Sequence, residues 1–265
     1  MDGNGWPLAL PDGATGISTL VLTGLPADAA GAAGRYVVTW QGQAKIALQG
    51  RAKLVSKRPF QAVFDYTPGE GTVTTLIPSV VPTDPTRNIV ILRQDRADLL
   101  ATGAIFNRDF LSHLKGARLM RFMDWQATNN SPLSDTADRP LPSDYTYASP
   151  LGVPMEIQIA LANALQADPW FTIPHLATDE QMLKLAETAR FGLDPALTAH
   201  VEFSNEVWNW QFYQAKWAEE QGRARCGQEG TWLQLYGLRA AEMARIWKSV
   251  YAQNAARFGA MLEFG

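Results

Sequence analysis

Over the first third of the chain, apolar and polar residues trade places at short intervals. Gly34–Trp40 alternates with period two and is followed by a Gln41-Gly42-Gln43 turn. Thr19–Leu22, Lys45–Leu48, Ala52–Val55, Gln61–Tyr66 and Val73–Ile77 repeat the pattern, with Gly and Pro between them. Short strands at regular spacing, each bounded by turn residues, predict a β-sandwich over residues 1–86. Pro78, Pro82 and Pro85 make a stiff exit from it.

From Asn88 the rhythm becomes strand, loop, helix. Asn88–Leu92 is an apolar strand, and Phe106–Leu114 has helical spacing with Asn107 placed to cap it. Ala117–Trp125 reads as a second strand, and a polar, Pro-rich loop runs from Gln126 to Pro150. Val153–Leu165 is a helix opened by Pro154, and Pro169–Pro174 a third strand. Thr178–Phe191 is a helix with Thr178 as cap and Gln181 three residues on, the spacing of a capping box. Ala199–Ser204 is the fourth strand, and Trp210–Gln221 and Thr231–Tyr251 are mostly helical. Successive strand–helix units imply parallel strands joined by right-handed crossovers. Either an open doubly wound sheet or a (β/α) barrel satisfies that order. No Gly-rich phosphate loop follows any strand, which weighs against a nucleotide-dependent α/β enzyme. Polar and aromatic residues gather instead after strand ends, at Asp124-Trp125, His175 and Asn205-Glu206, the position of the chemistry in barrels. The fold class expected is therefore α/β plus all-β. A β-sandwich accessory domain (1–86) precedes a (β/α)4 half of a TIM-type barrel (87–265).

Composition narrows the function classes. Hydrophobic residues make up 46% and charged residues 18%, enough to bury a real core. A net charge of −3 gives no electrostatic ground for a nucleic-acid or anionic-membrane partner. No apolar run is long enough to span a bilayer. A single cysteine, Cys226, leaves no intrachain disulfide, and His113, His175 and His200 lack metal-ligand spacing, so neither metal nor cofactor is expected. The N-terminal residues have no basic start and no apolar stretch of signal-peptide type. Nine tryptophans are the informative excess. About half suit core packing; the rest lie near loops, where flat aromatic faces stack on sugar rings.

Glycoside hydrolysis needs a carboxylic acid beside the leaving oxygen and a second carboxylate across the ring. Glu206 follows a strand and has Phe203, Val207 and Trp208 as sequence neighbours. Capping of the following helix is the plain alternative for a lone Glu there. Phe203-Ser204-Asn205-Glu206-Val207-Trp208-Asn209 resembles the strand-4 signature of the clan of retaining (β/α)8 glycoside hydrolases that includes many cellulases, mannanases and xylanases. The stretches Leu119–Trp125 and Asp168–His175 are similar to a bacterial, cellulase-like branch carrying a β domain before the barrel. The resemblance implies that Glu206 is the acid/base and that Asn205 binds the sugar 2-hydroxyl. It implies retention on a β-linked polysaccharide or oligosaccharide. The expected localisation is secreted or extracytoplasmic, with the leader absent from this chain, the alternative being cytoplasmic.

Further candidates for lining a sugar cleft are Asp124, Trp125, Trp170, His175, Trp208 and Trp210. Asp124 also fits a hydrogen-bonded core position, and His175 a core histidine. Glu202 shares strand parity with Glu206, so both could face the barrel axis; an ion pair with Arg121 is the structural alternative for Glu202. Asn129 and Asn130 lie on the long loop within reach of substrate, while His113, His200 and Cys226 read as structural.

A whole barrel needs eight strands and about 250 residues. Four strands are clear here, a fifth begins at Phe258–Leu262, and the strand-7 nucleophile of the resembling clan has no counterpart. Unpaired strand edges and an uncovered apolar face favour association. The expectation is thus a homodimer, each copy giving half a barrel, with the partner's Glu206 or Asp124 as second carboxylate. The competing functions are a non-catalytic carbohydrate-binding protein and an inactive barrel fragment.

Overall fold

The computed structural model of the chain describes residues 1–262, which divide into two compact units. The first holds 1–105 and the short stretch 143–145; the second holds 106–142 and the chain from Thr146 onward.

In the first unit two antiparallel sheets share one hydrophobic core. One contains β1 (Ile17–Val21), β3 (Ala47–Gly50) and β6 (Val73–Ile77) in the order β1-β6-β3. The other contains β2 (Gly34–Gln41), β4 (Lys53–Arg58), β5 (Gln61–Tyr66) and β7 (Arg87–Arg93) in the order β4-β5-β2-β7. The period-two pattern does the sorting. Tyr36, Val38 and Trp40 of β2 point inward, and Phe64 pairs with Tyr36 in register, the rings stacked at 5.3 Å. Trp40 keeps its indole N–H satisfied by the Ala44 carbonyl at 3.0 Å, so a large polar-tipped ring can be buried.

One expectation fails here. The strand at 88–92, expected to open the parallel series, is β7, which runs antiparallel beside β2, with Val37 opposite Leu92 and Thr39 opposite Val90. Ile89 and Ile91 pack on the core of the first unit. A short apolar run carries no information about the direction of its neighbour, and the first compact unit runs on past residue 86 to Ile105. The chain continues through β7 and a short helix α1 (Ala97–Ala101), which the pattern had not marked, before the second unit begins at Phe106.

The second unit is built on a parallel sheet of four strands: β8 (Leu119–Arg121), β9 (Asp168–Ile173), β10 (Ala199–Phe203) and β11 (Phe258–Met261). The spatial order is sequential, β8-β9-β10-β11. The helices α2 (Arg108–Leu114), α3 (Met155–Leu165), α4 (Asp179–Gly192), α5 (Tyr213–Cys226) and α6 (Trp232–Val250) lie between the strands in the chain or just before them. Their starts follow local chemistry. The Asn107 side chain accepts from Asp109 N–H, and Thr178 Oγ1 accepts from Gln181 N–H at 3.2 Å. The reciprocal arm of the capping box is replaced, because the Thr178 N–H donates to the Ser134 carbonyl instead. Phe171, Ile173, Val201 and Phe203 are fully buried against Met182, Met243 and Trp247.

The strand expected over 117–125 is shorter. It ends at Arg121, and Met123–Thr128 fold back in a turn, with Gln126 N–H to Phe122 carbonyl at 2.9 Å and Ala127 N–H to Asp124 carbonyl at 3.0 Å. Asp124 and Trp125 therefore belong to the turn after β8. Strand parity likewise stops at Phe203. Ser204 and Glu206 have positive φ (60° and 42°), so Glu202 and Glu206 are not set on one face by β alternation.

Candidate functional site

The residues after the carboxyl ends of β8 and β10 are tied to one another by side-chain hydrogen bonds. Arg121, the last residue of β8, donates from Nη2 both to Glu202 Oε2 at 2.9 Å and to Asn205 Oδ1 at 2.8 Å. Asn205 donates from Nδ2 to Asn129 Oδ1 at 2.9 Å. Gln214, in the first turn of α5, donates to the same Asn129 oxygen at 2.7 Å and to the Asn205 carbonyl at 2.9 Å. Its own Oε1 accepts from the Asn130 N–H at 3.0 Å, and Asn130 Oδ1 accepts from the Tyr213 N–H at 2.6 Å, capping α5 from across the site. Asn205 and Gln214 are buried, so these amides hold their positions by mutual satisfaction.

Glu202 is fully buried and its carboxylate is committed. It accepts from Arg121 and, at 2.9 Å, from the Trp170 indole N–H. The Arg121 guanidinium in turn covers the Trp170 ring at 4.9 Å from its centroid. The ion pair read from the sequence for Arg121 and Glu202 is present, and it places Trp170 in that pair's shell.

Glu206 is half-buried. Its Oε2 accepts from Asn209 Nδ2 at 2.9 Å, while its backbone carbonyl accepts from Asn209 N–H at 2.8 Å. Asn209 also accepts at Oδ1 from the Gln211 N–H and at its carbonyl from the Phe212 N–H. One asparagine thus closes the turn and orients the carboxylate. Among the described residues of the second unit, four of the five non-glycine residues with positive φ, Ala127, Asn130, Ser204 and Glu206, lie in these two loops. Such backbone costs about 1–3 kcal/mol per residue and persists where the surroundings fix it.

The remaining predicted residues sort by environment. Asp124 is exposed in its turn, and Trp125 is half-buried against Phe122 at 5.6 Å. Trp208 and Trp210 are 36% and 50% exposed on the loop after β10. His175 is fully buried between the edges of Tyr213 and Trp217 at 5.6 and 5.3 Å, and burial lowers its pKa from 6.5 to about 4. Asn129 and Asn130, named only for their place on the long loop, prove central to the network. Gln214 and Asn209 went unmarked. Gln214 is one polar residue in a helix whose buried face is otherwise Ala215, Ala218 and Gly222, and nothing in that pattern shows which way it points. Asn209 carried a usable signal, an Asn three residues after the Glu in a Trp-flanked turn.

Among the described residues no three His, Cys, Asp or Glu side chains come together as metal ligands, and no helix is long and apolar enough to cross a membrane. The chain matches no family model, no curated protein and no solved structure in the comparisons made with each.

Proposed function

We propose that the second unit is the acid/base half of a glycoside hydrolase acting on β-linked polysaccharide, with Glu206 delivering the proton to the glycosidic oxygen. The observation that carries this reading is the treatment of Asn205-Glu206. The pair follows a parallel strand, Ser204 just before it and Glu206 within it hold positive φ, Asn205 is clamped by Arg121 and Asn129, and Asn209 holds one oxygen of Glu206. That leaves Glu206 Oε1 for the leaving oxygen and one Asn205 N–H for a sugar hydroxyl. Retention follows from the family resemblance.

Sequential strand order favours a barrel over a doubly wound sheet, which reverses order at its switch point. On this reading the two antiparallel sheets of the first unit form the sandwich of an accessory domain. The parallel sheet is half of a closed (β/α)8 structure, with β8 and β11 as the edges that a second copy would pair. Glu206 or Asp124 of that copy supplies the second carboxylate. The protein works outside the cytoplasm, where polysaccharide is met.

Glu206→Gln tests the reading on a panel of β-glucans. Loss of hydrolysis with unchanged folding supports it; hydrolysis at the wild-type rate ends it. A second reading, a carbohydrate-binding protein without catalysis, is favoured by the engagement of Glu202 with Arg121 and Trp170 and by the exposure of Trp208 and Trp210. Binding without cleavage by the wild type selects it.

A further inference from the structure

Trp210, on the loop after β10, meets Trp232, the first residue of α6, edge to face, with ring centroids 6.2 Å apart and planes at 78°. The two come from separate parts of the second unit. Trp232 is half-buried and packs on the core, whereas Trp210 is half exposed and Tyr213, three residues further on, is 49% exposed. An exposed indole set edge to face against a half-buried one is an oriented aromatic surface. The loop beneath it is rigid. Asn209 closes the turn from Glu206 to Phe212, and Asn130 fixes the Tyr213 N–H.

The chemistry of this patch selects its occupant. Val207 to Tyr213 holds three large exposed aromatics, two amides and no charge. A polyanion needs cations here, and the loop has none. A neutral pyranose chain needs flat rings for its C–H faces and amides for its hydroxyls, and both are present. Glu206 lies four residues before Trp210 on the same loop.

We propose that the Trp210–Trp232 pair is a preformed stacking platform for a neutral β-linked glucan, on the loop that carries Glu206. This rests on the carbohydrate reading of the site but not on catalysis. The test is affinity electrophoresis of the whole chain in native gels containing soluble mixed-linkage β-glucan, run at low and high salt. The wild type is expected to be retarded equally at both. Trp210→Ala should weaken binding about five- to tenfold, and Trp232→Ala should weaken it although its indole is only partly accessible. Trp210→Phe should recover part of the loss. The rate of hydrolysis by Glu206→Gln, measured separately, judges the catalytic reading. Failure of the wild type to be retarded, wild-type retardation of Trp210→Ala, or retardation abolished by salt would each overturn the platform.

Discussion

Arg121 and Glu202, 81 positions apart in the chain, meet at 2.9 Å at the parallel sheet, and the acid is wholly buried. The pair does more than neutralise itself. The same Arg121 nitrogen reaches Asn205, so the charge that makes Glu202 tolerable in the core also sets the amide next to Glu206. Arg121→Met should therefore take the countercharge from a buried carboxylate that keeps its Trp170 N–H, and cost about 3 kcal/mol. The double variant Arg121→Met/Glu202→Gln should recover part of that stability but not sugar binding. Urea unfolding with a double-mutant cycle checks the coupling; strictly additive losses would deny it.

Asn129 accepts from two amides at once. Asn129→Ala leaves the Asn205 and Gln214 donors without that acceptor in a site where both residues are buried, at about 1–3 kcal/mol for each orphaned group. Asn129→Asp keeps the acceptor and should lose much less. Thermal unfolding of the two variants side by side separates the hydrogen-bonding role from simple packing.

How much of this was open to reading depends on the range of the interaction. The helix starts at Asn107 and Thr178 were legible because a cap is decided within three or four residues. Trp40, Phe64 and their neighbours were legible because alternation is decided by the next residue but one. β7 was misplaced because Ile89-Val90-Ile91-Leu92 is apolar in either sheet, and only its partner β2 decides direction. Asn205-Glu206 could be marked from local sequence, yet the residues that hold the pair, Arg121, Asn129 and Gln214, lie 84, 76 and 9 positions away from Asn205. No local pattern reports which distant amides share a pocket. The failed parity argument for Glu202 and Glu206 has the same origin, since two left-handed residues broke the period after Phe203.

His175 gives the fold a pH dependence of definite sign. Burial holds its folded pKa at about 4 against an ordinary value of 6.5. Between these values the unfolded chain binds a proton that the folded chain does not, so stability falls as pH drops through that window and is complete above it. The loss by pH 4 is at most about 3 kcal/mol. Urea midpoints at pH 7.5 and 4.5 should differ for the wild type, and by clearly less for His175→Phe. Equal shifts in the two proteins would assign the acid sensitivity to other groups.

Asn209 is expected to act as a positioning residue. Its side chain donates to the Glu206 carboxylate and accepts from the Gln211 N–H, so Asn209→Ala should free both the carboxylate and the turn. Cleavage of a β-glucan should fall in kcat more than it rises in KM, since the aromatic platform lies mainly on Trp210 and Trp232. Asn209→Ser, with a shorter donor, should sit between the two. A uniform rise in KM with kcat intact would show that the turn, rather than the carboxylate, is what Asn209 serves.

Gly222 on α5 joins packing to the proposed platform. A Cβ at this position would stand 2.6 Å from the Thr231 carbonyl oxygen and 2.8 Å from its carbon, both backbone atoms that cannot swing aside. Thr231 directly precedes Trp232, so relief of the clash must push the start of α6 away from α5. Alanine gains up to about 1 kcal/mol of helix propensity over glycine, but overpacking a tight contact costs about 1–3 kcal/mol, and the clash should win. Gly222→Ala should thus lower the unfolding temperature and also weaken glucan retardation, without altering any residue of the platform. Gly237→Ala on α6, where a Cβ meets nothing within 4 Å, is the matched control and should gain stability from propensity alone. If Gly222→Ala unfolds at or above the wild-type temperature, the α5–α6 approach is looser than this contact implies, and Trp232 would have to be held by its own core packing.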